Sequence, residues 1–179
     1  MALSTIGFNY YKNYVFPILV TDDLGVLELE EAREHYKILF IKSGLCRFEL
    51  NRKEYVLIGS HAVLLNERDE ARFSELSGAS AKLIVFQPRV VNAAFNTCII
   101  NKPDHGLTGA TAQDMFYLEQ FKHSTPVSKK ILPLQPNDYA VMEKRINRLN
   151  HLLSMQDTAF WPCLSRSYLY EILFALVRK

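Results

Sequence analysis

The sequence predicts a mainly β fold followed by a helical segment, and three observations carry that reading. Seven short apolar-rich runs follow one another at close spacing, at 26–30, 36–42, 45–50, 54–58, 62–66, 70–75 and 81–87. Turn residues separate them, among them Asn51-Arg52-Lys53 and Ser77-Gly78-Ala79-Ser80. Beyond Pro88 the apolar residues recur instead at steps of three and four. Short strands with turns between them argue for a closed barrel or sandwich rather than a βαβ fold, and the later period argues for helices.

The first twenty residues hold three tyrosines and end in Phe16-Pro17-Ile18-Leu19-Val20, which reads as a strand before the turn Thr21 to Gly25. The stretch 25–74 then falls into two halves, each opened by a glycine, Gly25 and Gly59. Pro88 suits the first turn of a helix, where its missing N–H has no partner to lose, and that helix is expected to continue through Val90, Val91, Ala94 and Phe95. Residues 96–109 read as a loop. A helix over 111–123 carries Met115, Leu118 and either Phe121 or Phe116 on its apolar side. After Pro126, Pro133 and Pro136, Asn137 is a candidate N-cap with Asp138 in the first turn, where the helix dipole favours an anion. Met142, Ile146, Leu149 and Leu153 follow as an apolar stripe. A last helix from about Pro162 carries Leu164, Tyr168, Leu169, Ile172, Leu173 and Leu176. It runs to Lys179 without a capping glycine, so more protein is expected to follow.

Composition narrows the function. The chain has 179 residues, 49% apolar and 22% charged, with a net charge of +2. Residues 1–95 hold 11 basic and 12 acidic side chains, and 96–179 hold 10 and 7. Neither half has the basic excess that binding to nucleic acid phosphates calls for. Cys46, Cys98 and Cys163 are odd in number and far apart, and read as buried free thiols of a reducing compartment. No apolar run is long enough to span a membrane and no signal peptide is evident, so the expected location is the cytoplasm.

Three blocks carry a resemblance: His35-Tyr-Lys-Ile-Leu-Phe-Ile-Lys-Ser-Gly-Leu-Cys-Arg-Phe-Glu-Leu50, Glu54-Tyr-Val-Leu-Ile-Gly-Ser-His-Ala-Val-Leu-Leu-Asn66 and Ile84-Val-Phe-Gln-Pro-Arg-Val-Val-Asn-Ala-Ala-Phe95. An apolar strand into Ser-Gly, a hairpin, a step into glycine and a strand ending Phe-x-Pro resemble the N-terminal effector-sensing domain of AraC/XylS-type transcriptional regulators. The likeness covers about residues 15–177. It implies a cupin-like β-barrel, the double-stranded β-helix, over 10–95. It further implies a helical dimerisation or linker segment over 96–179, with the DNA-binding domain beyond Lys179. DNA would then be reached only through that missing domain.

Cupin enzymes hold a metal with two glycine-framed motifs. Gly25 and Gly44 keep the first frame, but its ligand positions are Glu31, Arg33 and Lys37. In the second, opened by Gly59, the proline is Leu65, the inner glycine Glu67, the ligand histidine Glu70 and the asparagine Ser74. Guanidinium and ammonium groups offer donors only and repel a cation, so no metal and no cofactor is expected. His35 and His61 fall outside the ligand positions and read as surface or loop histidines. Glu31, Arg33, Lys37 and Glu70 are then either solvated charges at the barrel mouth or a site for a small polar or anionic ligand, with Arg33 as a bidentate clamp. Cys46, Phe48 and Leu50 alternate along one strand and either line the same cavity or form plain core.

The chain carries none of the local signatures of a serine hydrolase, zinc protease, phosphate-binding loop or dithiol enzyme. Glu31 and Glu70 are the only paired carboxylates for acid–base work, and cations beside them favour binding over proton transfer. A non-enzymatic role is therefore expected. The stripe Met142, Ile146, Leu149 and Leu153 either packs within the chain or forms a seam between two copies, since regulators of this family commonly dimerise through such helices. The resulting expectation is the sensing and dimerising half of a regulator, responding to a small-molecule effector or a regulatory protein. The alternative is a stand-alone cupin enzyme or small-molecule binding protein.

Overall fold

In a computed structural model, residues 3–102 and 106–179 are described, and they form three layers. Ten strands are present: β1 (Thr5–Ile6), β2 (Val15–Phe16), β3 (Ile18–Thr21), β4 (Tyr36–Ile41), β5 (Leu45–Leu50), β6 (Lys53–Ile58), β7 (His61–Leu65), β8 (Ala71–Ser77), β9 (Ala81–Phe86) and β10 (Ile131–Pro133). A five-stranded antiparallel sheet runs β10-β7-β4-β9-β3, and a three-stranded antiparallel sheet runs β6-β5-β8. β1 and β2 pair apart from both. Strand pairing keeps the two larger sheets separate among the described residues, so the β part is a pair of facing sheets rather than one closed barrel.

The central strand β4 explains the layering. All six of its residues, Tyr-Lys-Ile-Leu-Phe-Ile, are buried, and side chains alternate between faces with a period of two. Tyr36, Ile38 and Phe40 enter the core shared with the helices. Leu39 and Ile41 enter the core between the sheets, beside Val63, Leu65, Leu83 and Val85. Lys37 stands on that second face, paired in register with Leu65 and Val85. A lysine thus sits at one end of the inter-sheet layer. Gly44, at φ +80°, allows the β4–β5 link to press on the β8–β9 turn; a Cβ there would lie 2.5 Å from the Gly78 carbonyl carbon.

The described residues also hold four α-helices: α1 (Thr97–Ile100), α2 (Gly109–Met115), α3 (Pro136–Met155) and α4 (Trp161–Val177). On α3 the residues Met142, Ile146, Leu149 and Leu153 are all buried in the core beneath the large sheet, with Trp161, Leu169, Ile172 and Leu173 of α4. The stripe is intrachain core and does not face outward, so it is not the seam between copies that was one of its two expected roles. The physical reason is supply: Ile18, Ile38, Phe40 and Phe86 give the large sheet an apolar face in the same core as this stripe.

Several expectations shift in detail. Residues 26–30 are not a strand. Two 3-10 turns, Leu24–Glu28 and Glu30–Glu34, occupy that stretch, the first opened by Asp23, whose side chain accepts from the Gly25 N–H at 2.9 Å. Val26, Leu29 and Ala32 recur at steps of three and pack on the inter-sheet core, matching a helix of three residues per turn. The segment after Pro88 is helical only to Val90, because the Asn92 side chain accepts from the Ala94 N–H and turns the chain. The predicted 111–123 helix is α2 followed by a 3-10 turn, Phe116–Phe121. Phe121 is its buried aromatic and Phe116 is half exposed. Pro136 opens α3 and Gln135 takes the cap position that Asn137 was expected to fill. On α4 Leu164 is exposed. Cys46 is buried as expected, which pushes its thiol up to about 11, whereas Cys98 and Cys163 are exposed; all three are free.

Candidate functional site

A cavity of about 360 Å³ opens where the two 3-10 turns, the start of β4 and the turn between β7 and β8 meet. The turn is Asn66-Glu67-Arg68-Asp69-Glu70, polar residues between two apolar strands, and its own side chains shape it. The Asn66 Oδ1 accepts from the Arg68 and Asp69 N–H groups at 2.9 and 3.1 Å, and Asp69 accepts from the Asn66 N–H at 2.9 Å. Asn51, in the left-handed region at φ 53°, clamps the turn from the β5–β6 hairpin. Its amide donates to Asp69 at 2.8 Å and its Oδ1 accepts from the Glu70 N–H at 2.9 Å.

Lys37 forms part of the wall and is only 3% exposed. Its ammonium donates one hydrogen bond, 3.3 Å to the Asn66 carbonyl. Burial brings it down to about 8, against the smaller opposing pull of Asp69 and Glu67. Both acids face other partners. Asp69 accepts from Lys130 at 2.6 Å in a pair whose side chains are 5% and 4% exposed. Glu67 meets the His123 Nε2 at 2.5 Å, and its second carboxylate oxygen is buried without a hydrogen-bond partner. Behind Glu67 lies the buried Tyr36, stacked on Phe121 at 4.8 Å with its hydroxyl unpartnered. Burial, and the Glu67 charge to a lesser degree, push that hydroxyl far above the usual phenol range. It stays protonated.

Of the residues expected at the site, Arg33, Lys37 and Glu70 line this cavity together. Glu31 is exposed and off the cavity wall; its backbone carbonyl meets the His35 Nδ1 at 2.8 Å. Phe48 is also off the wall. It stacks between Tyr55 and Phe73, 5.6 Å from each, and with Cys46 and Leu50 it is plain inter-sheet core. His35 is buried rather than a surface residue, and burial lowers its ring from the ordinary imidazole range. Arg68, Asp69 and Arg72 on the wall, and His123 and Lys130 paired with the acids of the turn, were not among the expected site residues. The dense charge run 67–72 was the available signal for the first three. His123 and Lys130 carry no local signal.

Among the described residues no three metal-ligating side chains converge, and no helix is long and apolar enough to cross a membrane. The cavity wall carries four cationic side chains, Lys37, Arg33, Arg68 and Arg72, and four carboxylates, Glu28, Glu67, Asp69 and Glu70; Asp69 and Glu67 meet Lys130 and His123, whereas the three guanidinium groups make no ion pair among the described residues. No protein-family model matches the sequence, and no curated protein matches it.

Proposed function

We propose that this chain is the effector-sensing part of a cytoplasmic AraC-type transcriptional regulator, a cupin-like module that binds a small ligand and governs a DNA-binding domain following Lys179. The reading rests on the blocks that resemble that family and on one structural observation. The turn 66–70 lines the cavity on one side and holds the helical segment on the other, through Glu67–His123 and Asp69–Lys130. A ligand entering the cavity changes the field at Glu67 and Asp69 and so biases how the helical segment docks. A differential affinity for two such arrangements is all that a population shift needs. Any pairing of two copies uses a face other than the Met142–Leu153 stripe.

The test joins this chain to the DNA-binding half of a characterised family member and reads a reporter gene in bacteria while small organic anions are supplied. An anion-dependent response that Arg33→Ala abolishes, with thermal stability unchanged, supports the reading. A chimera that folds and binds DNA but answers to no ligand, with Arg33→Ala indistinguishable from it, refutes it.

A further inference from the structure

Resting on the reading of this cavity as a ligand site, we infer that it captures a small oxo acid as a reversible imine on Lys37, with the guanidinium groups of Arg33, Arg68 and Arg72 holding the carboxylate. Lys37 is the single lysine on the wall. Its surroundings differ from those of a structural buried lysine. A structural one is expected to meet a carboxylate directly, because an uncompensated buried charge is costly. Here both nearby acids already have other partners, Lys130 and the His123 ring, and the Lys37 nitrogen keeps one long contact to a carbonyl oxygen. Desolvation without a direct counter-ion is how an amine is made nucleophilic near neutrality. With its pKa near 8 the amine is about one-tenth neutral at pH 7, roughly two orders of magnitude or more above a solvated lysine.

The chemistry balances within the site. The ammonium first releases a proton to water; the neutral amine then adds to the carbonyl carbon, forming the C–N bond as the carbonyl π pair moves to oxygen, which takes that proton back from water. The nitrogen then gives a proton to the Glu67 carboxylate, which has an oxygen without a partner. That proton returns to the carbinol hydroxyl, which leaves as water while the C=N bond forms. One water is released, no electrons are exchanged, and hydrolysis reverses every step. A carboxylate on the ligand answers the three guanidinium groups, which make no ion pair among the described residues and suit planar anions.

The experiment incubates the folded protein with pyruvate or glyoxylate and cyanoborohydride at pH 7, then reads intact mass and maps the modified peptide. The expected result is one trapped adduct on Lys37, formed at least tenfold faster than on any exposed lysine, with a rate that climbs with pH and levels off above about 8. Lys37→Arg keeps a cation but cannot form the imine; it should lose the adduct while still binding succinate by calorimetry. Succinate binding that depends on Arg33, with adducts scattered over exposed lysines and none on Lys37, overturns the imine and leaves the sensing reading intact. Absence of both adduct and succinate binding overturns the imine and removes the anion site as well. If Lys37→Arg fails to fold, the position of the adduct on the unsubstituted protein decides the matter.

Discussion

Replacing Lys37 by Met tests the electrostatics of the cavity through stability alone. Burial makes the folded chain release this proton near pH 8, while the unfolded chain holds it to the ordinary 10.5. Between those values the unfolded state binds more protons, so the stability contributed by Lys37 rises with pH across that window. Each unit of difference is worth about 1.4 kcal/mol, so between pH 7.5 and pH 10 the unsubstituted protein should gain about 2 kcal/mol relative to Lys37→Met. Urea denaturation of both proteins at half-unit pH steps measures this. Taking the difference cancels the titration of the other lysines and the tyrosines. Below pH 7 the difference should be flat, because both folded and unfolded chains then hold the proton. A difference that stays flat from pH 7 to pH 10 would show that Lys37 is solvated, and the inference built on its amine would fall with it.

Ile146→Glu with Leu149→Glu should unfold or aggregate the protein rather than yield a folded monomer, since both residues are fully buried within the chain; circular dichroism and ultracentrifugation distinguish the outcomes. Lys130→Met leaves the Asp69 carboxylate buried without its cation and should cost about 3–5 kcal/mol in urea denaturation. Lys42→Met, which removes an exposed pair with Glu143, should cost less than about 1 kcal/mol and serves as the control. Purified protein should carry no stoichiometric transition metal by elemental analysis, because the guanidinium of Arg33 and the ammonium of Lys37 on the cavity wall offer donors only and repel a cation. About one metal per chain, lost on Glu70→Ala, would overturn that expectation and the regulator reading together.

Much of the architecture follows from local pattern. Strands β4 to β9 lie within two residues of the apolar runs that predicted them, because alternation and turn residues are properties of neighbouring positions. The spacing of Met142, Ile146, Leu149 and Leu153 likewise identified α3. It did not tell whether that face meets the chain's own sheet or another copy; an apolar stripe is the same in both cases, and only the placement of Ile18, Ile38, Phe40 and Phe86 in the same core decides. The 3-10 turns at 24–34 were hidden because steps of three and steps of two both fit so short an apolar set.

The site divides in the same way. Alternation alone puts Lys37 on the face of Leu39 and Ile41, and the expectation that Arg33 and Glu70 stand near it came only from the resemblance to glycine-framed motifs. What the sequence could not show is that the lysine is dry and lacks a direct counter-ion. That depends on Glu67 meeting His123 across 56 residues and Asp69 meeting Lys130 across 61. Charge state is set by distance and dielectric, and both are created only when remote segments pack together.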